Sequence, residues 1–307
     1  MSVPVELPNG IVVSAINAID ARVLHHEVFE SDLYWRHGIT LHDGAVVFDV
    51  GANIGLYSIS LSRRFRRLKI HAFEPIPPVF DALCANRSLC GDAELVAHPF
   101  GIARVDGVER FVFDPQISYA GSSHLHELRR VLPRSVGGSV RQPFVPSRWV
   151  SAVVEELVVT GLVREGRAVH ALRRMLRSAP GRALLVAGWL ALYGLLVVRR
   201  LVTRCTFDCE VRRFSRVKRE LGVAAIDLVK IDVEGAELEV LQGIDDADWP
   251  DIGQLLVEVH DVDGRVDVCR ELLSSKGYAV AVEPDPRQLR RLLRIYQLYA
   301  RRRGASG

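Results

Sequence analysis

Two clusters of residues carry chemistry in this chain. The first is D-V-G-A-N-I-G, with Asp49, Gly51, Asn53 and Gly55, followed by Glu74 twenty-five residues after the aspartate. A Gly-rich turn lets backbone approach a ligand closely. An acid at the position of Glu74 suits the paired hydroxyls of a ribose. The common dinucleotide fingerprint surrounds a pyrophosphate, but here Asp49 sets an anion at the turn and repels phosphate. The set favours a nucleoside without phosphate and with a cationic end. S-adenosylmethionine has that form, with adenosine at one end and an ammonium and a sulfonium at the other. The bland alternative is a plain strand–helix turn.

The second cluster is K-I-D-V-E-G-A-E, with Lys230, Asp232, Glu234, Gly235 and Glu237, followed by Glu258 and His260. Alternate residues of a strand share a face, so Lys230, Asp232 and Glu234 point together. Three charges on one face are costly to bury unless they overlook a cleft. His260, beside Glu258, is placed to take a proton from a hydroxyl. It also fits a surface histidine next to Asp261. Glu237 falls in the first turn of a helix, where the helix dipole favours an anion, and this accounts for it as well as catalysis does. Asp232, Glu258 and His260 lack a spacing specific to a metal, and no metal is expected. Cys205 and Cys209 lack partner ligands.

Such residues need a scaffold that holds them at one edge. Short apolar runs at 45–50, 68–73, 94–99, 109–114, 226–233, 254–260 and 278–283 read as strands. Between them, 54–65, 77–89, 236–242 and 266–275 read as helices. Pro lies near the start of the second, and Gly243 and Gly277 follow the last two. The alternation predicts an α/β fold, a mostly parallel sheet with helices on both faces. In such a sheet both clusters fall at the carboxyl ends of strands, where ligands bind. The last segment, 287–303, is Arg-rich and spaces Leu289, Leu292, Leu293 and Tyr296 as an amphipathic helix does.

The stretches V-F-D-V-G-A-N-I-G-L-Y-S, A-F-E-P, I-D-L-V-K-I-D-V-E-G-A-E and L-V-E-V-H resemble the FkbM-type family of S-adenosylmethionine-dependent O-methyltransferases. The resemblance spans about half the chain, residues 39–113 and 212–283. It implies a class I methyltransferase (Rossmann-like) fold, a seven-stranded sheet with one antiparallel strand. It implies methyl transfer to a hydroxyl of a polyketide, sugar or lipid-linked acceptor. By motif position, Asp49, Gly51 and Gly55 would contact the methionine part, with Asn53 in the same turn. Glu74 would hold the ribose, and Asp232 would sit near the methyl donor with Lys230 beside it. The resemblance supplies no general base, so His260 stands on the reading of its own position.

The organisation expected is an N-terminal cap (1–38), a cofactor-binding domain (39–124 and 208–285), an inserted segment (125–207) and a basic C-terminal helix (286–307). The chain has 307 residues, 49% hydrophobic and 25% charged, which excludes a disordered or collagen-like polymer. Its five cysteines are too few for a disulfide scaffold and suit a cytosolic protein. The insert holds 14 Arg against 4 acids, a net of +10; the whole chain is +3, so the remainder is −7. Within it, 183–198 is a run of 16 residues without a charge. As a helix this is roughly 24 Å long, short of the ~30 Å of a hydrocarbon core.

Strands on both sides of the insert must pair in one sheet, which forbids a single membrane crossing there. Three arrangements stay open for 183–198: an anchor lying in the membrane interface, a re-entrant hairpin with 149–163, or a lid holding a greasy acceptor. The expected location is cytoplasmic, peripheral or monotopic at a membrane. The expected partner is a small-molecule or lipid-linked acceptor. The rivals are a non-catalytic nucleoside-binding module at a membrane and an RNA methyltransferase. No base-stacking aromatic motif supports the latter, and no nucleic acid is expected.

Overall fold

The computed structural model describes residues 2–115, 151–152, 155, 158, 166–178, 180–181, 205–287, 290–291 and 293–303. The apolar run 183–198 and most of the inserted segment lie outside these residues. Among the described residues no helix is long and apolar enough to cross a membrane.

The N-terminal layer is a hairpin, β1 (Val3–Glu6) and β2 (Val12–Ala15), followed by α1 (Ala18–His25). Asn17 caps α1, its side-chain oxygen accepting from the Asp20 N–H at 2.8 Å. A π turn (His26–Glu30) and a 3-10 turn (Leu33–Trp35) lead to the main sheet.

That sheet alternates with helices: β3 (Val46–Val50), α2 (Leu56–Arg64), β4 (Lys69–Phe73), α3 (Pro77–Asn86) and β5 (Glu94–His98). Pro opens α3, where its missing N–H costs nothing. Next come β6 (Gly101–Ala103), β7 (Gly107–Phe113), α4 (Arg167–Arg177), β8 (Cys205–Arg213), α5 (Phe214–Glu220), β9 (Ile226–Ile231) and α6 (Glu237–Gln242). The chain closes with β10 (Ile252–His260), α7 (Arg265–Ser275), β11 (Tyr278–Pro284) and β12 (Ile295–Arg302).

Seven strands form one mixed sheet in the order β11-β12-β10-β9-β3-β4-β5. β3, β4, β5, β9 and β10 pair in parallel, and β12 runs antiparallel to both its neighbours. Strand alternation sorts the core into two layers. Val47, Ile70 and Leu228 pack with α2 and α3 on one face; Phe48, Val229 and Leu255 pack with α5, α6 and α7 on the other.

Two expectations are corrected. The segment 287–303 does not form an amphipathic helix. Its second half is β12, inserted between β10 and β11 with seven residues paired on each side. Ile295, Leu298, Tyr299 and Ala300 are buried within the sheet. Two strands that lack a partner outweigh a helical spacing, and β-branched and aromatic residues suit the pleat. The sheet therefore extends past residue 285. The strand expected at 109–114 does not join it; β7 pairs with β8 in a separate three-stranded sheet, β6-β8-β7. β8 begins at Cys205, inside the segment assigned to the insert.

Candidate active site

A cleft of about 1090 Å³, mouth included, opens at the carboxyl ends of β3, β4 and β9. Gly51, Asn53, Glu74, Lys230 and Asp232 line it. Asp49, Gly55 and His260 do not.

The turn after β3 dictates glycine at position 51. Its φ is +78°, and a Cβ there would collide with the Asp232 carbonyl oxygen. The β3 and β9 ends can approach this closely because Gly51 has no side chain. Gly55, with φ +85°, starts α2 against Leu83, where its role is the entry of the helix. Asn53 also has a positive φ, and its Oδ1 accepts from the Ile54 N–H at 2.7 Å. Glu74 fastens the turn from β4. Its carboxylate accepts from the N–H groups of Asn53 (3.1 Å) and Ile76 (2.9 Å). Burial raises its pKa to about 7 despite those two bonds.

Asp49 lies beneath the cleft. It is fully buried and directly opposite Lys230 in the β3–β9 register. Ser58 donates to its Oδ2 at 2.8 Å, and Lys230 Nζ is 3.5 Å from its Oδ1. Lys230 also reaches Asp232 (3.2 Å) and the Gly51 carbonyl (3.2 Å). Burial opposes its charge, but Asp232 and Asp49 outweigh burial and hold its pKa above the usual lysine value. Lys230 is thus a fixed cation joining the cleft floor to Asp232.

His260 is buried behind the wall. Its Nε2 lies 3.2 Å from Glu234 and its Nδ1 3.2 Å from Glu237. Burial disfavours its charge, yet the two carboxylates push its pKa well above the ordinary histidine value. An imidazolium donating from both nitrogens has no lone pair for a substrate proton. The ion pairs pin Glu234, whose φ of +55° is unusual for a residue with a side chain.

Sequence reading missed the far wall. Leu24, Val28 and Tyr34 come from the N-terminal layer, Tyr57 from α2, and Arg290 from the approach to β12. Tyr34 donates to Glu27 at 2.6 Å; Arg290 bridges Glu27 (2.7 Å) and Glu258 (2.6 Å). Gln297 donates to Glu258 at 2.6 Å, as their pairing in the sheet register allows. Glu27, Asp232 and Glu258 bring carboxylate oxygens within 4.8 Å of one another, and Arg290 supplies positive charge there. No local motif announces such a network, because its members lie as far as 263 residues apart.

The charges of the wall do not cancel. Glu109, Asp232 and Glu239 face the cleft, with Glu74, which is only partly ionised at neutral pH, and Glu234, which is paired with His260, against Lys230 and Arg290. Both cations are already engaged by buried carboxylates. A ligand there meets negative potential, which suits a cation and opposes a phosphate.

Fold and cleft together define an α/β protein with an acid-lined, ligand-sized cleft at the carboxyl edge of its sheet. The model of the methyltransferase FkbM domain matches residues 201–280. The chain is 34% identical over 299 residues to the 31-O-demethyl-FK506 methyltransferase FkbM of Streptomyces tacrolimicus, covering 96% of this chain and 95% of that one. It is 26% identical to Methyltransferase 1 of Beauveria bassiana, covering 92% of this chain and 91% of that one. It is 31% identical to the AMB antimetabolite synthetase AmbE of Pseudomonas aeruginosa, where the match covers 92% of this chain but 12% of that protein. The chain belongs to the FkbM methyltransferase family, and it is a methyltransferase of the S-adenosylmethionine-dependent kind.

Proposed function

We propose that this enzyme binds S-adenosylmethionine in the acid-lined cleft and methylates a hydroxyl of a hydrophobic, glycosylated or lipid-linked small molecule. The observation that carries this reading is the excess of carboxylates over cations on the cleft wall. The fit extends to Glu74, which lines the cleft beside the β3 turn. When bound, S-adenosylmethionine supplies a methyl group activated by its sulfonium.

The chain's own residues supply the positioning. Asp232, at the end of β9, orients the acceptor hydroxyl and receives its proton as the oxygen–methyl bond forms and the methyl–sulfur bond breaks. Lys230 holds Asp232 in place through their 3.2 Å ion pair. Lys230 itself stays protonated and takes no proton. Leu24, Val28, Tyr34 and Tyr57 give the acceptor a mostly apolar berth. Holding the acceptor hydroxyl in place with these residues would supply much of the rate gain. The acceptor class draws support from the Streptomyces relative, which is named for an O-demethyl substrate. The Arg-rich segment 125–207, with 14 Arg against 4 acids, is the region proposed to meet an anionic membrane surface.

Calorimetric titration with S-adenosylmethionine tests the cofactor. The wild type binds in the micromolar range, and Glu74→Gln weakens binding about tenfold by removing one charged partner of the ribose. Failure of well-folded wild type to bind sinks the reading. Transfer of a labelled methyl group to hydroxylated macrocycles and glycolipids, with and without anionic vesicles, then tests the acceptor.

A further inference from the structure

The N-terminal layer gives the cleft a wall of Leu24, Val28 and Tyr34. Leu24 is in α1, and Val28 lies in the π turn that follows it. A single π turn joined to an α-helix occurs frequently at functional sites. In an unbroken α-helix, Leu24, Glu27 and Val28 would share one face. Here Leu24 and Val28 line the cleft, whereas Glu27 does not and is only 2% exposed.

Glu27 fixes the turn. Its carboxylate accepts from Tyr34 at 2.6 Å, Arg290 at 2.7 Å and Arg287 at 2.9 Å. Shifting the turn would strip a buried carboxylate of its cations, which is strongly unfavourable. Glu27 also brings a carboxylate oxygen within 4.8 Å of one on Asp232. Asp232 is the group proposed to receive the proton of the acceptor hydroxyl. Val28 follows Glu27 directly and lines the same cleft, so it stands beside that hydroxyl. Its side chain is branched at Cβ and stiff. The wall at this point is apolar, and the ion pairs under it prevent its retreat.

We propose that Val28 is a specificity-determining residue that limits substituents on the carbons flanking the reacting hydroxyl, so that the enzyme takes hydrophobic alcohols unhindered at that place. This rests on the acceptor reading above. A fixed apolar wall discriminates by shape, and one carbon too many in such a pocket is worth about tenfold or more.

The test measures transfer of a labelled methyl group from S-adenosylmethionine to cyclohexanol and to menthol, which carries an isopropyl group on the carbon beside its hydroxyl. Wild type, Val28→Ala and Val28→Phe are compared, with thermal unfolding as a check on folding and calorimetric titration as a check on the cofactor. Wild type is expected to prefer cyclohexanol in kcat/KM by about tenfold or more. Val28→Ala brings the ratio towards unity by raising transfer to menthol. Val28→Phe lowers transfer to both alcohols and leaves the affinity for S-adenosylmethionine unchanged. An unchanged ratio in Val28→Ala overturns the proposal, and so does a parallel fall for both alcohols, which marks a merely structural role. Loss of cofactor affinity in folded Val28→Phe also overturns it, because residue 28 then belongs to the cofactor site. Wild type that binds S-adenosylmethionine but transfers to neither alcohol overturns this proposal and leaves the cofactor reading standing. If folded wild type does not bind S-adenosylmethionine, the cofactor reading fails first and this one with it.

Discussion

A buried aspartate needs a cation, and among the described residues Lys230 is paired with Asp49. Replacing Lys230 by Met strands a fully buried carboxylate and is expected to cost about 3–5 kcal/mol. Adding Asp49→Asn should restore much of that loss, because the fully buried carboxylate is gone and Asp232, the other partner of Lys230, is only half-buried. Urea unfolding of both single variants and the double variant measures the coupling. A double variant as unstable as Lys230→Met would show that Lys230 acts through Asp232 or the Gly51 carbonyl instead. At Gly51, alanine combines an unfavourable positive φ with a collision against Asp232. Glycine at this position is a demand of the fold before it is one of the ligand. Gly51→Ala is therefore expected to lower the melting temperature as well as weaken S-adenosylmethionine binding. A variant that loses binding with an unchanged melting temperature would place the whole effect in the ligand.

Among the elements, β12 ties the sheet together. β11 has β12 as its partner in the sheet, and β10 has β12 on the side away from β9. The strand also carries Gln297 to Glu258 and Tyr299 to the Leu33 carbonyl, at 2.9 Å. Amides of residues 296–300 should exchange as slowly as those of β10, near the global unfolding limit. Exchange within minutes, as in a frayed terminal helix, would contradict the pairing. The approach to β12 carries Arg290, so the last strand positions the cation that links the N-terminal layer to the sheet through Glu27 and Glu258.

Across the whole molecule, two histidines with opposite shifts contribute opposite responses to pH. His98 stacks on Phe73 at 4.7 Å and lies 3.1 Å from His71. Burial, with His71 and Arg212 adding to it, lowers the His98 pKa to about 4. Between about pH 6.5 and 4 the unfolded chain binds this proton and the folded chain does not, so stability falls as pH falls through that window. His260 is the reverse. Its raised pKa contributes stability that is complete below about pH 6.5 and is lost as pH rises through its folded value. Glu74, raised to about 7 by burial, opposes His98 between about pH 4.5 and 7, so each histidine's share is read by comparing variants with wild type in urea unfolding from pH 4 to 9. His98→Gln should flatten the acid limb and His260→Gln the alkaline limb. An alkaline limb unchanged in His260→Gln would mean that the Glu234–His260–Glu237 cluster is not ionised as described.

The local features are legible in the residues alone. The strand–turn–helix units, the glycine at position 51, the acid after β4 and Lys230 on the cleft side of β9 all follow from the alternation of side chains and from turn chemistry within a few residues, whereas β9 ends at Ile231 and leaves Asp232 and Glu234 in the turn beyond it. The family resemblance rested on those same units. Tertiary structure decided the rest. Asp49 had the signature of a ligand contact, but pairing of β3 with β9 set Lys230 opposite it and turned it into buried support. His260 had the position of a base, but the chain turn at Glu234 and Gly235 brought two carboxylates to its nitrogens. The final segment had a helical spacing, but β10 and β11 needed a strand between them. The wall made by Leu24, Tyr34, Tyr57 and Arg290 draws on both ends of the chain. Local patterns fix backbone form and which side chains share a face. Which distant groups become partners depends on the packing of the sheet, where completing the strand pairing and leaving no buried charge unpaired outweigh what any short stretch prefers.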